Sequence, residues 1–551
     1  MSKPTSKTPG GFRQSMAWLH TWCGLWFTWL LYAIFLTGTL AVFAEPIGHW
    51  MTPEHALAES HAGTEPPAPI DRAKRWALGL AYMAQQHANA GMWEIWPTRA
   101  ADGGGLMAYW FDAGGGYAAA QLDPVTGAVL APGAEVVERA THGGSHFVSF
   151  HYELHAGRIG LWIVGFVAMA MLVALVSGIV THKRLFKDFF TFRPAKGQRS
   201  WLDAHNALAV LTLPFLFMIA YTGIAISGLS FMPAGAWSFN RADAAQLWTA
   251  LNDPAKPVRT GQPLAVPDLE AFALRAEALI GQQIRCIVVD HPGDSAMRIS
   301  AYGWNGEEEQ ITRISTSTGM VSFSAASGQI LNLRLPGQVD GGAASLVQQV
   351  MGDLHMARFG GLVVKWLYFV CGLAGTAMVA TGAILFMVKR RGKHGAEFGA
   401  ATARVYRLVE GLNVAAIAGL GVACVAYLWA NRLIPVAMPQ RDDAEIGGFF
   451  AVWIGMLLHA FIRPPGRAWV EQLGLLASLC LLLPLLNLLS TGDHIPAQIA
   501  RGDWESAGVE LTVLVFGLLA AWTTRRVAAK LRAGPAMPRR AKASPTAELA
   551  R

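Results

Sequence analysis

The sequence predicts a polytopic α-helical membrane protein of about eight transmembrane helices that carries two duplicated, outward-facing α+β modules. Three observations predict this class. Of the 551 residues 53% are hydrophobic and only 15% are charged, a balance too apolar for a soluble multidomain protein. Apolar runs near the ~20 residues that cross a hydrocarbon layer lie at about 21–43, 161–181, 206–229, 362–388, 411–429, 447–463, 472–489 and 508–524. The pattern helix, α+β segment, helix occurs twice between about residues 15 and 390.

Residues 1–43 form the N-terminus and first helix. A basic start (Lys3, Lys7, Arg13) and a possible cleavage site at Val42-Phe43-Ala44 admit a secretory signal. The apolar run, however, exceeds the ~7–15 residues of a signal core, and Trp22, Trp26 and Trp29 suit an anchor. Residues 44–158 form the first module, with a helix over about 71–88 followed by alternating strands; residues 230–353 form the second, with a helix over about 267–281. Both modules carry a turn in which Gly follows Thr, QLDPVTGAVL (121–130) and RISTSTGMVSF (313–323), a hairpin signal. Between the modules, residues 159–229 hold helices two and three around the basic loop HKRLFKDFFTFRPAKGQR (182–199). Residues 354–392 form helix four and its basic end KRRGKH, 405–525 four further helices, and 526–551 a basic tail. Basic residues resist translocation, so both termini read as cytoplasmic and the modules as outward-facing. The net charge of +7 sits largely in these loops and requires no nucleic acid partner.

Cys23, Cys371, Cys424 and Cys480 fall in helices and only Cys286 in a module, so neither module can hold an internal disulfide. The sequence contains no CxxCH for covalent haem attachment.

The candidate chemistry lies in histidines that repeat with the helices. His20 precedes Thr37-Gly38 by 17 residues, and His205 precedes Thr222-Gly223 by the same 17. Helices two and four open on LHAGRIG (154–160) and LHMARFG (354–360), which align His155 with His355, Arg158 with Arg358 and Gly160 with Gly360. Histidines at equivalent positions of two repeats face each other across a pseudo-twofold axis, and a b-type haem accepts one imidazole on each face of its iron. The expectation is two haems, one held by His20 and His205 at the cytoplasmic end and one by His155 and His355 at the outward end. At ~1.5 Å per helical residue, Thr37-Gly38 and Thr222-Gly223 lie about 25 Å along, at the outer level; Ser177-Gly178 and Thr381-Gly382 fall at the inner one. Small residues, including Gly24 and Ala209 one turn after His20 and His205, would let a macrocycle approach the backbone.

A lone interfacial histidine is usually a solvated side chain, and it is the repeated spacing that raises these four together. Arg158 and Arg358 would suit haem propionates or lipid headgroups equally. His151, one turn before His155 on the same face, stands as an alternative outer ligand or a group for substrate or propionate. His182 competes with His20 and His205. His142 and His146 read as loop residues, and His459 has no partner at matching spacing.

These residues resemble the PepSY-associated transmembrane family, iron-regulated membrane proteins that include bacterial inner-membrane ferric-siderophore reductases. The resemblance rests on WLHTWCGLWF, FHYELHAGRIG, WLDAHNALAV, DLHMARFG and the two modules, over about residues 10–392. It implies PepSY-like periplasmic modules and a four-helix core in the inner membrane with two non-covalent b-type haems. It further implies an oxidoreductase that passes electrons outward to a ferric siderophore or other ferric chelate; the last four helices are an addition to that pattern. The span interiors hold almost no Asp or Glu, since Glu410, Glu471 and Glu510 sit near ends. A proton-coupled permease would normally place carboxylates there. With no GxGxxG after a strand, no flavin-binding domain and no CxxC cluster, electrons would come from a membrane quinol or a separate cytoplasmic reductase. Two other readings stand beside this one: a siderophore or metal permease subunit, and a membrane-anchored peptide-binding regulatory protein.

Overall fold

The fold comes from a computed structural model that describes residues 11–54, 71–97, 105–111, 117–130, 139–182, 193, 197–231, 258–305, 314, 317–338, 342–391 and 398–533. Most of the basic loop at 182–199, residues 392–394 of the next one, the end of the basic tail and residues 232–257 of the second module lie outside the described residues. Along the chain run α1 (Phe12–Ala41), α2 (Ala44–Met51), α3 (Arg72–Gln86), β1 (Met92–Pro97), β2 (Leu106–Phe111), β3 (Tyr117–Leu122), α4 (Ser145–Glu153), α5 (Gly157–Thr181) and α6 (Gln198–Ile226). The second repeat gives α7 (Leu269–Ile280), β4 (Ile284–Asp290), β5 (Arg298–Gly303), β6 (Met320–Ser324), β7 (Ile330–Arg334), α8 (Gly342–Met356) and α9 (Gly361–Arg391). Then come α10 (Gly399–Leu433), α11 (Arg441–Ile462), α12 (Pro465–Thr491), α13 (Ile495–Arg501) and α14 (Trp504–Arg532).

Among the described residues eight helices are long and apolar enough to cross a membrane: α1, α5, α6, α9, α10, α11, α12 and α14. All eight begin earlier than their apolar runs. The first turns of α1 are amphipathic, and α11 opens on Asp442 and Asp443, acids that favour the positive end of a helix dipole but do not register as membrane span.

The chain divides into two compact units. The first holds residues 1–45, 54–139 and 144–382; the second holds 46–53, 140–143 and 383–551.

In the first unit the two modules share one sheet. Its order is β3-β2-β1-β4-β5-β6-β7, with β1 and β4 joined antiparallel through Trp93↔Val289 and Ile95↔Ile287. Two separate modules would each leave one of these apolar strands as an open edge; pairing them satisfies both. Both helices start on an aspartate cap, Asp71 accepting from the Lys74 N–H at 3.0 Å and Asp268 from the Glu270 N–H at 3.1 Å. α7 then buries Leu269, Ala273, Ala276 and Ile280, and α3 buries Trp76 and Met83. With Trp93, Ile95, Ile287, Val289, Ile299 and Phe323 these form a single core.

The turn after β3 is as the sequence suggests: the Asp123 carboxylate accepts from the N–H groups of Val125 and Thr126, and Gly127 takes φ 75°. Its structural counterpart is not RISTSTGMVSF. Its residues 317–319 lead into β6 while 313, 315 and 316 lie outside the described residues, and a turn matching that after β3 lies one strand later. There the Gly328 N–H bonds the Ser324 carbonyl and Ser324 bonds Gln329, as Gly127 bonds Asp123 and Asp123 bonds Ala128. The turn chemistry is Gly at a positive φ (67° at Gly328), not the Thr-Gly pair.

The membrane helices of this unit pack as α1 on α5 and α5 on α6, and α8 packs on α6. Gly372 lies against Thr39, and Gly375 against Phe35 and Leu216, so α9 comes close to both α1 and α6 where it lacks side chains.

The second unit is built on α10–α14, with a π-helical turn at Ala415–Gly419 inside α10. It buries several polar groups. Arg441, Glu445, Asn431, Gln498 and Glu510 are all fully buried, Glu510 near the start of its helix as the sequence places it.

Candidate functional site

Four helix-borne imidazoles form two pairs in the first unit, one edge-on and one stacked. His20 near the start of α1 and His205 near the start of α6 have ring centroids 6.4 Å apart. At the other end of the same helices His151 of α4 and His355 of α8 lie 6.0 Å apart, with planes inclined by 29°.

Each ring is seated on a neighbouring helix in the same way. His20 Nδ1 donates to the Ala174 carbonyl at 2.8 Å, His205 Nδ1 to Met378 at 2.9 Å and His151 Nδ1 to Ile34 at 2.8 Å. His355 Nδ1 lies 3.1 Å from Thr222 Oγ1, and the Ile219 carbonyl is the backbone partner of its imidazole. Four residues beyond each of these carbonyls stands a glycine: Gly178, Gly382, Gly38 and Gly223. A methyl at Gly178 would lie 3.0 Å from the His20 ring, at Gly382 3.1 Å from His205, at Gly38 2.5 Å from His151 and at Gly223 2.8 Å from His355. The hydroxyl just before each glycine donates to the same carbonyl: Ser177 to Ala174, Thr381 to Met378, Thr37 to Ile34 and Thr222 to Ile219.

The repeated [Ser/Thr]-Gly pairs thus sit at the levels the spacing gave them, but they cradle imidazoles rather than a macrocycle directly. The sequence reading missed the shared carbonyl; the position four residues before each glycine, one helical turn away, was the available signal. Gly24, read as small for the same purpose, has nothing within 4 Å of an added methyl, so the helix face one turn from His20 is open.

The outer pair differs from the one the LHxxRxG alignment gives. His355 faces His151, and His155 is not brought to it. Helix α4 ends at Glu153, and Leu154 and His155 both adopt left-handed backbone, φ 53° and 52°, which costs a non-glycine residue ~1–2 kcal/mol. His355 lies inside α8, whose helix continues to Met356 before the break at Ala357 (φ 53°). The same letters therefore fall on opposite sides of a helix end. His155 instead stacks on buried His146, with Nε2 2.9 Å from His146 Nδ1. Arg158 and Arg358 are both exposed. His182 caps the end of α5. In the second unit His142 faces Asp442 and Asp443, and His459 bonds Glu471 at 2.9 Å.

The residues fit a bis-imidazole haem. A carbonyl can only accept, so each bonded Nδ1 carries the proton and leaves Nε2 with its lone pair for a metal, the second-sphere arrangement usual for metal-bound histidine. Two imidazoles bonded to one iron at ~2 Å each would have centroids about 6 Å apart, the separation of both pairs. The glycines provide the close seating that places the rings there. Among the described residues there is no group of three or more His, Cys, Asp or Glu that could hold a metal ion directly.

The fold and the paired histidines define the class: a polytopic helical membrane protein built on a duplicated helix–module–helix unit with two bis-histidine levels. The chain matches the family described as the PepSY-associated TM region over residues 17–389, and it belongs to that family. The match includes all four paired histidines and ends within α9, so α10–α14 lie beyond it. The chain is also 26% identical over 415 residues to an uncharacterized protein of Pseudomonas aeruginosa, a match covering 71% of this chain and 96% of that protein.

Proposed function

We propose that the chain is an oxidoreductase of the bacterial inner membrane, carrying electrons outward on two b-type haems to reduce a ferric siderophore or similar ferric chelate in the periplasm. A haem at each level would supply one-electron chemistry between Fe3+ and Fe2+. The single observation that carries the reading is the pair of imidazole pairs: two rings on each level, about 6 Å apart, three with Nδ1 on a backbone carbonyl and the fourth with Nδ1 beside the Thr222 hydroxyl. His20 and His205 would serve the cytoplasmic level, His151 and His355 the periplasmic one.

The chain's own residues do three things in this reading. The four carbonyls fix the tautomer and raise the basicity of Nε2. The four glycines set ring depth, and the low polarity around the pairs tunes the potential of whatever they ligate. Arg158 and Arg358, exposed near the outer pair in sequence, would meet propionates or headgroups. No general acid or base is required, and the donor would be a membrane quinol or a separate cytoplasmic reductase.

The test is a pyridine haemochrome assay with a dithionite difference spectrum on protein expressed with adequate haem. Two haems per chain, extractable by acid-acetone, are expected. Haem-free protein would overturn the proposal in favour of a permease subunit or a peptide-binding anchor.

A further inference from the structure

The two histidines of the outer pair are held differently. His355 sits late in the 15-residue α8, and the hydroxyl of Tyr368, buried beside Phe215, donates to the adjacent Leu354 carbonyl at 2.6 Å. His151 sits on α4, which is nine residues long, has no side-chain cap at its start and ends in a left-handed break. So short a helix does not hold itself in water or at a membrane edge. Its buried Phe147 and Phe150 pack it in place, with His151 seated on the Ile34 carbonyl of α1 at 2.8 Å, and the chain just before it supplies a further tether.

That chain is residues 140–143, which belong to the second unit. Three contacts tie them to α10 and α11. The Tyr427 hydroxyl donates to the Gly143 carbonyl at 2.9 Å, the Thr141 hydroxyl donates to Glu445 Oε2, and Arg441 donates to the Ala140 carbonyl at 2.8 Å. Glu445 and Arg441 are fully buried and paired with each other, and Asn431 donates to Glu445 at 2.8 Å. The segment that follows α1 is gripped in the same unit. Arg432 lies 3.8 Å over the Trp50 ring and donates to its carbonyl, and Trp50 Nε1 donates to Glu510 at 3.0 Å. The two gripped segments meet backbone to backbone, since a methyl at Gly143 would lie 2.9 Å from the Gly48 Cα.

Resting on the haem reading above, we infer that the added helices act as a clamp on the approaches to His151, with Tyr427 and Glu445 as positioning residues for the outer histidine pair. The added helices thereby gain a role without binding a redox group: they tether the start of α4, which has no side-chain cap, while α1 seats the ring itself. The inner pair has no such dependence, because His20 and His205 lie within helices of 30 and 29 residues.

The test is the full-length double variant Thr141→Val with Tyr427→Phe. It removes two hydroxyls at nearly constant volume and leaves the Arg441–Glu445 pair intact. Haem transfer to excess apomyoglobin and the low-spin EPR signals are read together, the outer haem being the one absent in His355→Ala. Loss of two buried hydrogen bonds predicts about tenfold faster release of the outer haem and a shifted EPR signal for it alone. The inner haem, unchanged, reports that the fold is intact, and Thr141→Ser should restore that bond and behave as wild type. Wild-type release of both haems, or equal acceleration of both, would overturn the inference. Wild-type protein without haem would overturn the haem reading and this inference with it.

Discussion

Gly38 of α1 supports the ring of His151 so closely that a methyl group there would fall 2.5 Å from both Cε1 and Nδ1. The contact ties a small-residue position in one helix to a candidate ligand 113 residues later in the sequence, and it recurs at Gly178, Gly223 and Gly382.

Gly38→Ala must therefore push the ring off its seat, an overpacking that costs ~1–3 kcal/mol. Haem content should fall from two towards one per chain, with the inner signal kept. Gly24→Ala, with open space around it, should leave the thermal transition of the haem-free protein unchanged. Equal haem content in Gly38→Ala and wild type would contradict the seating role.

His151→Ala should abolish the outer haem and the reduction of periplasmic acceptors, whereas His155→Ala should keep both. The measurement is the reduced-minus-oxidised spectrum of each variant. His20→Ala or His205→Ala should leave the outer haem bound but unable to receive electrons from the cytoplasmic side. A reversed result for His151 and His155 would return the ligand to the LHxxRxG motif.

Cys286 lies on β4 within the sheet, 6% exposed, and burial pushes its thiol up to about 12. At pH 8 only about one molecule in ten thousand then carries the reactive thiolate. Alkylation by iodoacetamide, followed by peptide mass spectrometry, should label Cys286 at least a hundredfold more slowly in native than in denatured protein. Rapid native labelling would show that the shared sheet opens in solution.

Dithionite-reduced protein should be reoxidised by a ferric hydroxamate or related chelate and yield Fe2+ that ferrozine captures. Hard oxygen ligands hold Fe3+ far more tightly than Fe2+, so release needs no cleavage of the chelator. Reoxidation no faster than with iron-free chelator, across several chelate classes, would leave a haem protein with another acceptor.

The membrane spans, the two module helices and the levels of the glycine pairs were legible because each depends on periodicity within a few turns. The helix expected over 71–88 runs Arg72–Gln86, and that over 267–281 runs Leu269–Ile280. The inner pair His20–His205 came from equal spacing alone. The turn equivalent to Asp123–Ala128 was missed because Thr-Gly was matched by letters, while the backbone requires glycine at positive φ. Glu445 was overlooked because α11 begins six residues before its apolar run.

Sequence by itself determined the class, the duplication and the residue types at both histidine levels, since hydropathy and helical period are properties of neighbours in the chain. Only the tertiary structure decided that His151 and not His155 meets His355, because one left-handed turn at Leu154–His155 ends the helix and redirects everything beyond it. It also decided that two modules share one sheet and that Thr141 meets Glu445 across 304 residues. Those pairings are set by close packing and by the need of buried polar groups for partners, which no local pattern records.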